Sequence, residues 1–175
     1  MSAKKQYDTV FACYYREKQD MSPTRTPTFK NEQYSLQSTV ARRTSSFINK
    51  LPLQDFAIRI LGPRYTLSVV LIGTTRMRSF NKKYRGKDMP TDILAFPLNK
   101  KEGEIFLNPH TLRSKAKKFN MTLRDYTQYV FIHGLLHLKG YDHGRTMEKL
   151  EERWCQVFSI PHPTYTEGVT STTVL

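Results

Sequence analysis

Three of the chain's five histidines fall within eleven residues, in the run His133-Gly-Leu-Leu-His137-Leu-Lys-Gly140-Tyr-Asp-His143. His133 and His137 are four apart, so on a helix they stand one above the other, with Cβ atoms about 5–6 Å apart. The residues before them read as that helix. Thr122 with Asp125 three positions on resembles a capping box, with Asp in place of the usual Glu or Gln. Tyr126, Tyr129, Val130, His133, Leu136 and His137 then recur at helical spacing. Gly140 stands where a left-handed terminating residue belongs, and the turn it permits brings His143 back from outside the helix. Three imidazole nitrogens at about 2.0–2.1 Å would leave the fourth tetrahedral position of an ion open. A lone His-x₃-His pair on an apolar helix is more often packing than metal. Gly140 and His143 at their spacing shift the balance to metal. Imidazole ligands favour zinc, one ion per chain, although the ligand set alone leaves nickel, copper and iron open. A purely structural zinc would need a fourth protein ligand, for which the spacing selects none of Asp142, His110 and Cys155.

The same His-x₃-His-x₂-Gly-x₂-His spacing occurs in metzincin proteases, where Glu follows the first His and acts as general base. Here that position is Gly134, which can neither accept a proton nor polarise water, and Met147 stands only four residues past His143. Peptide hydrolysis is thereby disfavoured.

The rest of the chain must hold such a helix in a core. Strand and helix signals alternate. Tyr34–Val40 reads as a strand. Ala41–Leu61 reads as a helix, with Pro52 the position at which it would break. Leu67–Ile72 reads as a buried strand and Arg76–Tyr84 as a short helix. Asp92–Phe96 is a strand stopped by Pro97, and Glu104–Leu107 a strand stopped by Asn108-Pro109. Pro109–Phe119 and Glu148–Phe158 read as helices. The expected class is α+β: a single domain with a small mixed, mostly parallel sheet packed with helices, and the zinc site at the end of a core helix. Residues 34–158 form that domain. Residues 1–33, with the Pro/Thr-rich stretch 21–28, read as an N-terminal arm in which Val10–Tyr15 is a short strand or docking segment. Residues 159–175 read as a flexible tail. The longest nearly apolar run, Leu67–Gly73, is far short of the ~18 residues of a membrane span. There is no secretory signal pattern. Two distant cysteines, Cys13 and Cys155, make no disulfide framework and suggest a reducing, intracellular compartment.

The net charge is +13, and residues 41–90 alone carry +9, whereas 141–175 carry −2. The surplus lies within the fold rather than in a tail, and points to an acidic partner, nucleic acid foremost. Its densest part is Phe80–Pro97, where Lys82, Lys83, Arg85 and Lys87 fall within six positions just before a predicted strand. Such a loop is often a solvated turn. At a strand edge it can also hold a phosphodiester, Arg gripping two phosphate oxygens at once.

Taken together, the two segments resemble the YbeY family. Tyr84-Arg85-Gly86-Lys87-Asp88-Met89-Pro90-Thr91-Asp92 is similar to its YRGKDxPTDVLSFP signature, and His133–His143 carries every fixed letter of HGxLHLxGYDH. Gly103-Glu104-Ile105 resembles the family's Gly-Asp-Ile, with Glu for Asp. The likeness extends over about 125 of the 175 residues, from Tyr34 to Phe158. Ala95 stands where the family usually has Ser, the loop between Pro97 and Gly103 is shorter, and residues 1–33 and those after Phe158 have no recognised counterpart. The resemblance implies a zinc-dependent endoribonuclease acting in ribosomal RNA processing and ribosome maturation. It implies zinc on His133, His137 and His143 and a functional role for Arg85. The candidate catalytic residues are Arg85 and His137, and the candidate phosphate contacts are Arg85, Lys87, Lys82 and Lys83. Attack by the RNA 2′-hydroxyl and by zinc-bound water are both open, and Asp142 and Asp92 are candidate partners for the imidazoles. Expected partners are ribosomal RNA and ribosomal proteins or assembly factors of the small subunit, with no membrane and no DNA specificity. The compartment would be bacterial cytoplasm or an organellar matrix. The alternative is a non-catalytic ribosome-assembly factor with a structural zinc.

Overall fold

The computed structural model describes residues 35–38 and 47–163. The arm expected over 1–33 and residues 164–175 of the tail expected over 159–175 lie outside the described residues, whereas Ile160 of that tail is buried in the main core. The described elements follow in the order β1 (Ser35–Ser38), α1 (Leu53–Leu61), β2 (Thr66–Leu71), α2 (Thr74–Arg85), β3 (Ile93–Asn99), β4 (Glu102–Leu107), α3 (Pro109–Lys118), α4 (Leu123–Leu138) and α5 (Arg145–Val157). The sheet order is β1-β2-β4-β3. β2 pairs in parallel with β1 and β4, while β3 runs antiparallel to β4 at one edge. The class is α+β with a mixed, mostly parallel sheet, as the sequence indicated.

One expected boundary differs and one expected break is present. Pro97 does not stop β3, which continues to Asn99. Proline lacks an N–H, and an edge strand tolerates that, particularly where register slips, as it does between Pro97 and Asn99. Pro52 falls where the sequence predicts a break in Ala41–Leu61: Phe47 and Ile48 are helical, a turn follows at 49–50, and α1 starts at Leu53.

Alternation along the strands gives the sheet two apolar faces. Leu67, Val69, Leu71, Ile105 and Leu107 belong to the main core with α1, α3, α4 and α5. Val70, Ile72, Leu94, Phe96 and Phe106 belong to the other, covered by α2. There Tyr84 meets Phe96 edge-on at 5.1 Å and Phe80 meets Phe106 at 5.2 Å, which fixes the C-terminal half of α2 on the sheet. α4 is the central helix. Phe131, Ile132 and Leu135 are fully buried, and apolar burial extends around most of its circumference rather than along one stripe. It starts at Thr122, whose Oγ1 accepts from the Asp125 N–H at 3.0 Å while its hydroxyl donates to the Asp125 carboxylate at 2.6 Å.

Candidate metal centre and cleft

The end of α4 assembles the histidine cluster. Gly140 adopts φ 97°, its N–H bonds the His137 carbonyl, and the Tyr141 N–H bonds the Leu136 carbonyl. This pair of bonds is a Schellman motif, and it satisfies two carbonyls that a helix end leaves open. It also turns the Tyr141 carbonyl toward His137, whose Nδ1–H donates to it at 2.9 Å. Two residues further on, His143 reaches the pair: its ring lies 4.6 Å from that of His137 and 5.2 Å from that of His133. One ligand atom from each of the three histidines lies within 4.8 Å of the others.

A metal fits this arrangement. A carbonyl can only accept, so Nδ1 of His137 carries the proton and Nε2 the lone pair. His133 donates its own Nδ1–H to Glu151 Oε1 at 2.8 Å. In the neutral rings both Nε2 atoms are then acceptors, and they face each other at 3.0 Å. Two converging lone pairs repel unless a cation lies between them. Two nitrogens on a tetrahedral zinc would stand about 3.4 Å apart, given bonds of about 2.0–2.1 Å. Burial, the charges of His133 and His143 and that of Arg85 push His137 down to about 3, against the Tyr141 hydrogen bond, which keeps the ring in the neutral form a metal requires. His143 is shifted down as well, by burial and by the charges of His133 and Arg85.

Glu151 was missed in the sequence. It lies on α5 with Met147 and Cys155, four residues to either side, on that helix's buried face. Burial alone would raise its pKa, but the hydrogen bond and charge of His133, the Tyr129 hydroxyl at 3.1 Å and His162 outweigh burial and lower it. Asp92, one of the two expected partners for the imidazoles, serves elsewhere. It accepts from Lys115 at 2.9 Å and from the Tyr126 hydroxyl at 2.7 Å, tying α3 and α4 to the start of β3. Asp142 lies at the cleft beside His143.

Gly134 is a packing position. A Cβ there would stand 2.5 Å from Ile93 Cδ1 and 3.3 Å from Ile105 Cδ1. The sheet occupies the space into which a protease base would project.

The histidines open on a cleft of about 800 Å³. Arg85 and Lys87 line it, as do Lys115 and Lys118 of α3. The basic loop is held by its own residues. Gly86, at φ 69°, ends α2. Buried Asn81 donates to the Met89 carbonyl at 2.7 Å. Asp88 folds back to pair with Arg78 at 2.7 Å and Lys82 at 3.0 Å, which brings its own pKa down to about 2. Lys83 lies 5.5 Å over the Tyr84 ring. Neither Lys82 nor Lys83 is among the residues lining the cleft, whereas Arg85, Lys87 and the three histidines share it.

Fold and site together define a class: a small α+β protein with a three-histidine group, suited to a metal ion, at the mouth of a cleft lined by Arg85, Lys87, Lys115 and Lys118 and by the carboxyl groups of Asp92, Asp142, Glu148 and Glu151. The model of the YbeY family, described as endoribonuclease YbeY, matches residues 28–158, and the chain belongs to that family. A protein named endoribonuclease YbeY from Thermodesulfovibrio yellowstonii is 40% identical over 110 residues, covering 55% of this chain and 69% of that one. One of the same name from Francisella tularensis subsp. mediasiatica is 35% identical over 146 residues, covering 67% and 90%. A third, from Thermotoga maritima, is 40% identical over 96 residues, covering 54% and 63%. A solution structure of a Thermotoga maritima protein aligns with a TM-score of 0.49 at 24% identity, over 78% of this chain and 99% of that one. The family assignment rests on the sequence matches.

Proposed function

We propose that this chain is a zinc-dependent endoribonuclease that cuts single-stranded segments of ribosomal RNA during rRNA processing, ribosome maturation and quality control. The observation that carries the reading is the convergence of His133, His137 and His143, with both Nδ1 protons of the helical pair directed away from the cluster, on a cleft that Arg85 shares. The names of the relatives support the reaction class. One zinc ion held there would supply Lewis acidity, toward a bound water or a phosphoryl oxygen. The protein groups do the rest. Glu151 and the Tyr141 carbonyl fix the tautomers and planes of His133 and His137. Arg85 offers a planar, permanently charged fork to the phosphate being cut and stabilises the charge that develops on it. Lys87 holds the backbone without reading sequence.

Ribosomal proteins or small-subunit assembly factors are the proposed partners, in an intracellular compartment. Residues 34–158 are the proposed catalytic domain, with 1–33 and 159–175 as accessory segments. Among the described residues no helix is long and apolar enough to cross a membrane. The structural-zinc alternative lacks a fourth ligand among those residues: the metal-capable group has three members, and burial pushes the Cys155 thiol up to about 12.

Elemental analysis paired with cleavage of ribosomal RNA tests the proposal. Wild type carries one zinc and cuts, His137→Ala loses both properties, and Arg85→Ala keeps zinc but loses about 10²–10³ in rate. Zinc-loaded wild type that binds RNA and leaves it intact would give the field to the assembly-factor reading.

A further inference from the structure

We infer that Lys118 is a second phosphate anchor, at the far end of the cleft from Arg85, holding an RNA phosphate other than the one being cut. The inference rests on the nuclease reading and adds a subsite to it.

The cleft runs along α4. Arg85 stands at its histidine end, and α3 closes the other. Phe119, which follows Lys118, stacks on Tyr126 with ring centroids 5.6 Å apart and planes 14° apart. From Tyr126 to His137 the helix rises about 16 Å at roughly 1.5 Å per residue. That is several times the roughly 3.4 Å axial rise per nucleotide of a stacked strand, so the two cations reach different phosphates. Lys115 does not compete for the role, because its ammonium is committed to Asp92 at 2.9 Å. That ion pair, with the Tyr126–Asp92 hydrogen bond, clamps α3 against β3 and α4. Lys118, three residues on, therefore shares Lys115's side of the helix, and both line the cleft.

The pairing of cations separates surface from site. Outside the cleft, Arg78 and Lys82 are neutralised by Asp88. Inside it, Asp92 is paired with Lys115 and Glu151 with His133, Asp142 and Glu148 also line the wall, and Arg85, Lys87 and Lys118 have no carboxylate within ion-pair distance among the described residues. Three unpaired cations spread along a cleft suit a polyanion laid through it better than one small anion at the histidines.

The test uses the zinc-loaded full chain and a single-stranded RNA oligomer. Lys118→Ala should raise KM about fivefold with kcat unchanged. It should also flatten the slope of log affinity against log salt by about 0.7, the loss of one phosphate contact. Lys117→Ala, exposed on the same helix but not lining the cleft, should leave both unchanged. Equal effects from the two variants would reduce Lys118 to a share of a diffuse field, and no effect at Lys118 would remove the subsite while leaving the nuclease intact. If wild type does not cut, the nuclease reading fails first, and the salt slope of binding still judges Lys118.

Discussion

Glu151 is the residue on which the histidine cluster leans most and the one the sequence disclosed least. It sits in Glu148-Lys-Leu-Glu-Glu-Arg153, a run of charges that reads as a solvated face. Only its four-residue spacing from Met147 and Cys155 places it inward, where it takes the His133 proton donor at 2.8 Å. Glu151→Ala should weaken zinc binding about 10–100-fold in a chelator competition, with Glu151→Gln between it and wild type. Unchanged affinity would reduce Glu151 to a packing residue. A second buried carboxylate carries the opposite sign. Burial pushes Glu104, on the far face of the sheet, up to about 7 from 4.5. The folded state therefore holds a proton that the unfolded state releases between those values. The stability it contributes is complete below about pH 4.5 and lost as pH rises to about 7, on the order of 3 kcal/mol at 1.36 kcal/mol per unit. Glu104→Gln should flatten that part of the stability curve and melt higher than wild type at pH 8. A parallel pair of curves would contradict the assignment.

At the scale of elements, the histidine helix was legible because cap, spacing and terminating glycine all agreed, and Thr122, Leu123–Leu138 and Gly140 stand where they were read. The sequence predicts an end to β3 at Phe96 because proline stops a central strand, and edge position is a property of the assembled sheet rather than of the sequence. Gly134 read only as a missing base, and its contact with Ile93 depends on how closely α4 approaches the sheet. That contact gives a coupled prediction. Gly134→Ala should destabilise by about 1–2 kcal/mol, overpacking exceeding the gain in helix propensity. In an Ile93→Val background, which lacks the Cδ1 at 2.5 Å, the same substitution should cost about 1 kcal/mol less. Additive melting shifts across the cycle would mean the two positions do not meet.

Across the whole molecule, a net +13 with +9 in residues 41–90 pointed to an acidic partner without saying where it would lie. The fold divides that charge. Asp88 neutralises the flank of α2, Asp92 neutralises Lys115, and the cleft cations without an ion pair among the described residues are Arg85, Lys87 and Lys118. Affinity for single-stranded RNA should therefore fall with salt at a log–log slope of about −2, three contacts at about 0.7 each. A slope near −7 or steeper, read by fluorescence anisotropy, would mean that the whole basic surface binds. The central claim, that one metal ion on three histidines makes this chain an RNA-cutting enzyme, is tested most directly by titrating zinc into metal-stripped protein while following cleavage of ribosomal RNA. The rate should rise linearly and break at one equivalent per chain, and His143→Ala should show no such break. Full cleavage by the stripped protein, or none at one bound equivalent, would contradict it.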